Sequence, residues 1–342
     1  LTPFFGGKKL SMNAYYGKQV EDILYFLMNH DHYLITAHIN ADGDAIASAI
    51  AMGHLLKELG KYSIMVFHDR KVDPRFNYLQ GYEHILSYQN DVESKNQIHS
   101  AIIENAIVLD APGYGRLGDV SNLLPDKEHI LKIDHHPVED IMGPLDWVDE
   151  EASSTTVLVY EVIAKSGISI NQDLAECIFT GIIYDTGRFS FSNTTARDLY
   201  VCSKMVEIGV KPSEIANRIF FQNSFNALKT IGKGLHSLEN HLHGAVNIIY
   251  LGYADMAQND QSEIEELANY SVAIRGGKVG LFIREVEPGL HKVSFRSHSH
   301  VDVNRVAKNF DGGGHSRAAG CRIRGSKNEI IDQILQVIKE QL

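Results

Sequence analysis

The sequence predicts an α/β protein, with an N-terminal domain on a parallel sheet joined by a helical connector to a smaller α/β C-terminal domain. Three observations carry this expectation. Between Lys18 and Asn193, short apolar runs alternate with longer segments of helical periodicity, the pattern of repeated βα units. Such units imply right-handed crossovers and helices on both faces of the sheet. Apolar runs also end on acidic and histidine residues, and in an open α/β sheet the carboxyl ends of the strands meet at one crevice. After residue 245, strand patterns return beyond a stretch that is helical in character.

In order, residues 20–28 read as an amphipathic helix, 33–37 as a strand, 45–59 as a helix and Ser63–Phe67 as a second strand. Residues 102–109 and 129–133 continue as strands and 154–165 as a helix. The apolar stretch 174–183 runs into Asp185 and is read, like the others, as a buried strand. Residues 195–242 form the connector, broken at Gly209, Lys211-Pro212 and Asn223-Ser224. Strands are then expected at 245–251, 279–285 and 292–296, with helices at 262–272, 302–310 and 327–341. The domain bounds are 12–194, 195–242 and 243–342. Residues 1–11, with the run Gly6-Gly7-Lys8-Lys9, are expected to be irregular and lie outside the fold.

Bulk properties narrow the class without selecting a function. A chain of 342 residues exceeds one ordinary core, and 44% hydrophobic residues are enough to fill two. Cys177, Cys202 and Cys321 are scattered, which argues against a disulfide framework or a sulfur-bound metal and fits a reducing cytoplasm. No apolar stretch approaches the ~18 to 20 residues that cross a bilayer, so no membrane partner is expected. A net charge of −11 weighs against tracking long duplex nucleic acid, which needs many cationic contacts to phosphate. Small anions held by a few arginines and metals remain compatible.

Chemistry concentrates in four clusters: His38-Ile-Asn-Ala-Asp42-Gly43-Asp44, then Asp110, then Asp134-His135-His136, then Asp185-Thr186-Gly187-Arg188. Imidazoles and carboxylates without cysteine suit borderline-hard divalent ions such as Mn²⁺, and a pair of such ions is a common device for attacking phosphate esters. Asp42 or Asp44 alone could be a helix cap, but capping does not account for His38 or for the other clusters. Adjacent histidines at a strand end point in different directions, so one can ligate metal while the other meets a phosphate. Asp134 can orient an imidazole, and Arg188 offers a cation to a phosphate oxygen. Most of the 17 histidines, among them His30, His32, His236, His241 and His243, lack carboxylate company and read as ordinary surface or helix residues.

Two glycine patterns invite other readings. Gly113-Tyr-Gly115-Arg116-Leu-Gly118 matches the dinucleotide fingerprint, but it follows a later strand rather than the first βα turn. Gly312-Gly313-Gly314-His315, with Arg296 and Ser297 upstream, reads as an anion cradle in which the Ala-rich segment after it starts a helix. The plainer reading is a flexible turn, and no Walker loop is present because no Gly-Lys-Ser/Thr follows.

The four clusters, in this order and spacing, resemble motifs I to IV of the DHH phosphoesterase superfamily. Lys292-Val-Ser-Phe-Arg296-Ser297, Asp302-Val-Asn304 and Gly312-Gly-Gly-His315-Ser-Arg-Ala318-Ala-Gly320 resemble its DHH-associated domain, so the likeness runs from about residue 20 to 342. Within the superfamily the chain is similar to the short nano-RNase and 3′-phosphoadenosine 5′-phosphate phosphatase group. The resemblance implies His38 and Asp42 on one metal, Asp44, His135 and Asp185 on the other, and Asp110 bridging both. His136 would contact the scissile phosphate, with Asp134 and Arg188 assisting. Arg116, Arg296, Ser297, Gly312, Gly313, Gly314 and His315 would hold substrate. Asp311 stands where the family usually has a further glycine, and it places a negative charge beside the anion pocket.

The activity so implied is exolytic hydrolysis of short RNA or DNA oligonucleotides to mononucleotides, and removal of the 3′-phosphate of 3′-phosphoadenosine 5′-phosphate, with two Mn²⁺ as cofactors. A homodimer is compatible. A phosphodiesterase of cyclic or linear di-adenylate is the rival within the same group. A polyphosphatase or pyrophosphatase branch shares the catalytic motifs but resembles a different C-terminal domain. From another class, a catalytically silent nucleotide-binding regulator would not need all six ligand positions intact.

Overall fold

The computed structural model describes residues 17–89, 92–256 and 264–342. The N-terminal glycine–lysine run and the first two residues of the helix expected at 262–272 lie outside the described residues. The chain divides after Ile219 into two compact units.

The first unit is a parallel six-stranded sheet. Its strands are β1 (Tyr33–Thr36), β2 (Ser63–Phe67), β3 (Ile85–Ser87), β4 (Asn105–Leu109), β5 (Ile130–Asp134) and β6 (Leu145–Val148), in the order β3-β2-β1-β4-β5-β6. β1, β4 and β5 are buried at every position, as expected of central parallel strands covered on both faces. The strand order reverses between β1 and β4, which opens the crevice at their carboxyl ends where α/β proteins bind ligands.

The helices of this unit are α1 (Gly17–Asn29), α2 (Gly43–Glu58), α3 (Val92–Ser100), α4 (Thr155–Ser166), α5 (Gln172–Asp185), α6 (Ala196–Ile208) and α7 (Pro212–Phe220). α2 carries small residues between its Ile and Leu positions and packs against both α4 and α5. The stretch 174–183 is therefore helix and not strand. It is apolar nearly all round, Glu176 excepted, because it packs between helices, and Asn171, which caps it through Leu174 N, marks a helix start. Asp185 ends a helix, so the clusters converge from three strand ends and one helix end.

The second unit begins with α8 (Phe225–His236) and contains β7 (Glu239–His241), β8 (Val246–Leu251), α9 (Tyr253–Met256), α10 (Leu267–Val272), β9 (Val279–Glu287), β10 (Leu290–Ser297), α11 (Val303–Lys308), β11 (Gly313–Gly314), β12 (Ala318–Arg324) and α12 (Lys327–Lys339). Its sheet runs β11-β12-β10-β9-β8-β7 and is antiparallel except between β8 and β9. One face, with Ile283, Val293 and Phe295, buries α11 and α12. On the other face, Ile249, Leu251 and Phe282 pack against α8 and α10. The Ala-rich segment after the glycine run is strand β12, not the start of a helix. Cys177, Cys202 and Cys321 are buried free thiols. Among the described residues no helix is long and apolar enough to cross a membrane.

Candidate metal centre

His38 leaves β1 and is almost fully buried. Its Nδ1 lies 2.9 Å from the Ile39 carbonyl, its Nε2 3.4 Å from Asp110 Oδ2 and 3.9 Å from Asp42 Oδ1. His135 repeats the arrangement beyond β5. Its Nδ1 faces the Ala152 carbonyl at 3.3 Å, and its Nε2 sits 3.2 Å from Asp185 Oδ2, 3.4 Å from Asp110 Oδ1 and 4.0 Å from Asp44 Oδ2. A carbonyl only accepts, so Nδ1 of each ring carries the proton and the Nε2 lone pair points at carboxylates. That juxtaposition is repulsive unless a proton or a cation lies between the groups.

The loops are built to hold this geometry. Asp42 caps α2, with Oδ1 accepting from Asp44 N and Ala45 N, while the same oxygen faces His38. Capping and ligation are thus compatible in one side chain. Asp44 lies in the first turn of α2 but is held by α4: its Oδ2 accepts from Thr155 N at 2.6 Å and its Oδ1 from Thr156 N at 2.9 Å, so the first-turn N–H groups of α4, which have no partner within their own helix, fix it. Thr155 Oγ1 also donates to Asp110 Oδ1 at 3.0 Å. Asp110 follows β4 in a left-handed conformation, φ 54°, and its two oxygens face the two imidazoles. Asp69 accepts from Asn40 N and Ala41 N and steadies the turn between His38 and Asp42.

Asp134 Oδ1 accepts from the main-chain N of His135 and His136 and lies 2.9 Å from His136 Nδ1. His136 Nδ1 is also 3.4 Å from Asp110 Oδ1, and its side chain is 20% exposed, against 5% for His135. Both histidines of the triplet thus face Asp110 Oδ1, His135 through Nε2 and His136 through Nδ1, and they differ in exposure and in their other partners. Arg188 is exposed beside Asp185, at the centre of a run in which Gly187, Arg188 and Phe189 all have left-handed φ of 53°, 62° and 62°. The Arg116 carbonyl accepts from Ile39 N at 2.7 Å, tying the loop after β4 to the His38 loop. Gly113 and Gly118 pack on Asp140 and His68, and 3-10 turns rather than a long helix follow them, so this segment is no dinucleotide cradle.

The electrostatics follow from burial and crowding. Burial opposes ionisation of Asp110, but hydrogen bonds from His135 and His38 prevail and hold its carboxyl well below the usual range. Burial, with Asp110 and Asp185 nearby, holds Asp44 well above it. Burial also pushes Asp185 up to about 7, against the pull of His135 and with the help of Asp42 and Asp110. For His38, burial disfavours the charge, yet Asp110 and Asp42 raise it to about 9; His135 is raised well above its ordinary value by Asp110 and Asp185 against its own burial. Protons thus do what a cation would do better. Among the described residues, His38 with Asp42 and Asp110, and Asp44 with Asp110 and His135, each bring their ligand atoms close enough to hold one ion, and the donor set suits borderline-to-hard divalent metals.

In the second unit, Arg296 pairs with Ala318 across the β10–β12 register, and Ser297 N donates to the Arg317 carbonyl. His315 N donates to the Ala318 carbonyl at 2.7 Å, closing the hairpin between β11 and β12. Arg296, Ser297, His315 and the glycines therefore gather at one end of the sheet. Gly313 and Gly314 are edge strand: a Cβ on Gly314 would strike Ala318 and Ala319, and one on Gly312 would strike Gly320 and Cys321. Close backbone approach, not a flexible turn, requires these glycines. Sequence reasoning missed Asp69, Thr155 and Thr156; the polar run Ser153-Ser154-Thr155-Thr156 ahead of an apolar helix was the available signal.

Residues 32–182 match the N-terminal domain of the DHH family, and residues 247–342 match the DHHA1 domain. The bifunctional oligoribonuclease and PAP phosphatase NrnA of Thermus thermophilus is 30% identical over 310 residues, 90% of this chain and 89% of the relative. The protein of that name from Bacillus subtilis is 28% identical over 298 residues, covering 86% and 90%. The crystal structure of an exopolyphosphatase-related protein from Bacteroides fragilis shares the fold, with a TM-score of 0.84 at 23% identity over 94% of this chain and 96% of that one. The chain belongs to the DHH family of metal-dependent phosphoesterases.

Proposed function

We propose that this phosphoesterase hydrolyses short oligonucleotides exolytically to mononucleotides and removes the 3′-phosphate of 3′-phosphoadenosine 5′-phosphate, with two divalent ions, Mn²⁺ by preference, in a reducing cytoplasm. The observation that carries the reading is the pair of buried imidazoles whose Nε2 atoms both aim at carboxylates, with Asp110 between them. The names of the relatives covering most of the chain support the substrate class.

His38, Asp42 and Asp110 hold one ion; Asp44, Asp110, His135 and Asp185 hold the other. When bound, the ions supply Lewis acidity that acidifies water and offsets charge on the phosphoryl oxygens. The Ile39 and Ala152 carbonyls keep the protons of His38 and His135 on Nδ1, which frees Nε2 for ligation. His136 is anchored by Asp134 at Nδ1 and contacts a phosphate oxygen through the rest of its ring. Arg188 adds an exposed cation for the substrate phosphate. In the other unit, Arg296, Ser297 and His315, with the glycine strand, grip the nucleotide end away from the reacting bond. The test is hydrolysis of end-labelled RNA dimers to 20-mers, 3′-phosphoadenosine 5′-phosphate and di-adenylate, each with Mn²⁺ and with chelator. Preferential, chelator-sensitive conversion of the shortest RNAs to mononucleotides is expected; faster turnover of di-adenylate than of RNA dimers would overturn the substrate assignment.

A further inference from the structure

The β10–β12 half of one sheet face in the second unit carries a charge pattern that the glycine strand and Arg296 do not account for. Arg284 on β9, Lys292 on β10 and Arg322 on β12 form one rung across three antiparallel strands. These side chains share the face that bears Phe282, opposite the core of Val293 and Phe295. α8 and α10 cover the β8–β9 side of this face, and α10 also reaches β10, where Ser294 is buried against Glu265 and Arg296 donates to Asn269. The open part is the β12 side, where Ala318 and Gly320 lead to Arg322, with half-buried Lys292 at its edge.

Like charges set side by side across strands destabilise a sheet, so such a rung needs an anion. Part of the compensation is internal. Glu265 accepts from Ser294 Oγ at 2.6 Å, pairs with buried Arg284 at 2.6 Å and reaches Lys292 only at 3.7 Å. Arg322 is exposed and has no hydrogen bond or ion pair among the described residues. One carboxylate thus serves both Arg284 and Lys292, three cations share it along the rung, and Arg322 at its outer end is left without an acidic partner among the described residues.

We propose that this rung is a backbone-binding strip that takes a phosphodiester of the substrate beyond the nucleotide end held at Arg296. Lys292 and Arg322 make the contacts, and the Arg284–Glu265–Ser294 group is the fixed support beside Lys292. The strip reads charge and spacing, not bases, because Phe282, the ring on this face of β9, is buried beneath α8 and α10, and the β12 positions beside Arg322 are Gly320 and Ala318. It extends the oligonucleotide reading given above: a dinucleotide engages the sheet end alone, and each further linkage can meet the rung.

The experiment is binding of fluorescein-labelled RNA dimers and pentamers to the full chain in EDTA, by anisotropy across a salt series, for wild type, Lys292→Met and Arg322→Gln. Both positions lie outside the metal centre, and Arg322 is exposed, so folding of that variant is not at issue. Each variant is expected to weaken pentamer binding about tenfold, to leave dimer binding within about twofold, and to lower the slope of log K against log salt by about 0.7. Hydrolysis of the dimer with Mn²⁺ should be unchanged. Pentamer affinity unaffected in both variants, equal losses on dimer and pentamer, or displacement of the pentamer by inorganic phosphate at matched concentration would overturn the strip. Binding without metal is read independently of turnover, so a wild type that binds pentamer through the rung yet cleaves no RNA would count against the proposed activity and not against the strip.

Discussion

Asp110 is the residue on which the metal centre turns. It sits in a left-handed conformation that costs a non-glycine residue roughly 1 kcal/mol, and in return directs one oxygen at His38 and the other at His135. Asp110→Ala should retain less than a tenth of wild-type turnover, because both ions lose their shared ligand; a larger residue of activity would refute the bridging role. His135→Ala should weaken metal binding, whereas His136→Ala should keep metal and lower kcat. Parallel metal titrations of the two variants test this, and equal losses would end the division of roles. Asp185 gives a pH prediction. Its folded pKa of about 7 lies above its ordinary 3.8, so its protonated form contributes stability that is complete below the lower value and lost as pH rises through about 7. In metal-free protein Asp185→Asn should therefore raise Tm more at pH 8 than at pH 6, and it should remove most of the Tm gained with Mn²⁺. An Asp185→Asn variant no more stable than wild type at pH 8 would show that carboxylate crowding is not what strains the empty site.

At the scale of elements, the centre depends on three helices packed closely enough to share one acid. Asp44 rides on the first turn of α2 yet is held by the first N–H groups of α4, while α5 closes over both. Gly181 permits this approach, since a Cβ there would strike the Thr156 side chain and Asp44 Oδ1. Gly181→Ala is expected to cost about 1 to 3 kcal/mol and to lower metal affinity with it; denaturant unfolding and metal titration of one preparation check both, and loss of stability with unchanged affinity would uncouple the helix contact from the site. The sequence makes β1, β2, β4 and β5 readable because buried parallel strands are continuous apolar runs ending on polar residues. The same logic misassigned residues 174–183: a helix buried on nearly all sides is also a nearly continuous apolar run, and only its cap and its length distinguish it. β3 and β6 escaped because edge strands of three and four residues carry too little pattern. The candidate ligands could be picked out as a set because their residue types are costly to bury without a cation, and the structure brings His38, Asp42, Asp44, Asp110 and His135 together. Asp69 and Thr156 act on the site through bonds that use main-chain N–H groups, which every residue type but proline carries, and Thr155 adds a hydroxyl to Asp110 that only the fold brings near.

For the whole molecule, the proposed assignment of substrate contacts to the second unit makes a kinetic prediction. Arg296 is fixed by Asn269 Oδ1 and the Phe295 carbonyl at the end of β10, remote in sequence from every metal ligand. Arg296→Ala should raise KM on dinucleotides roughly tenfold, the loss of one charge-assisted contact of ~1.5 to 3 kcal/mol. A minimal artificial phosphodiester, too small to use that contact, should hardly notice the change. Equal losses on both substrates would mean that Arg296 supports the fold and not the substrate. The central claim is that four sequence clusters form one centre for two divalent ions on which phosphoester hydrolysis depends. Calorimetric titration of Mn²⁺ into metal-free protein, with hydrolysis of an RNA dinucleotide followed at each point, tests it most directly: two ions per chain and turnover that rises with their occupancy are expected, and undiminished hydrolysis in the metal-free protein would contradict it.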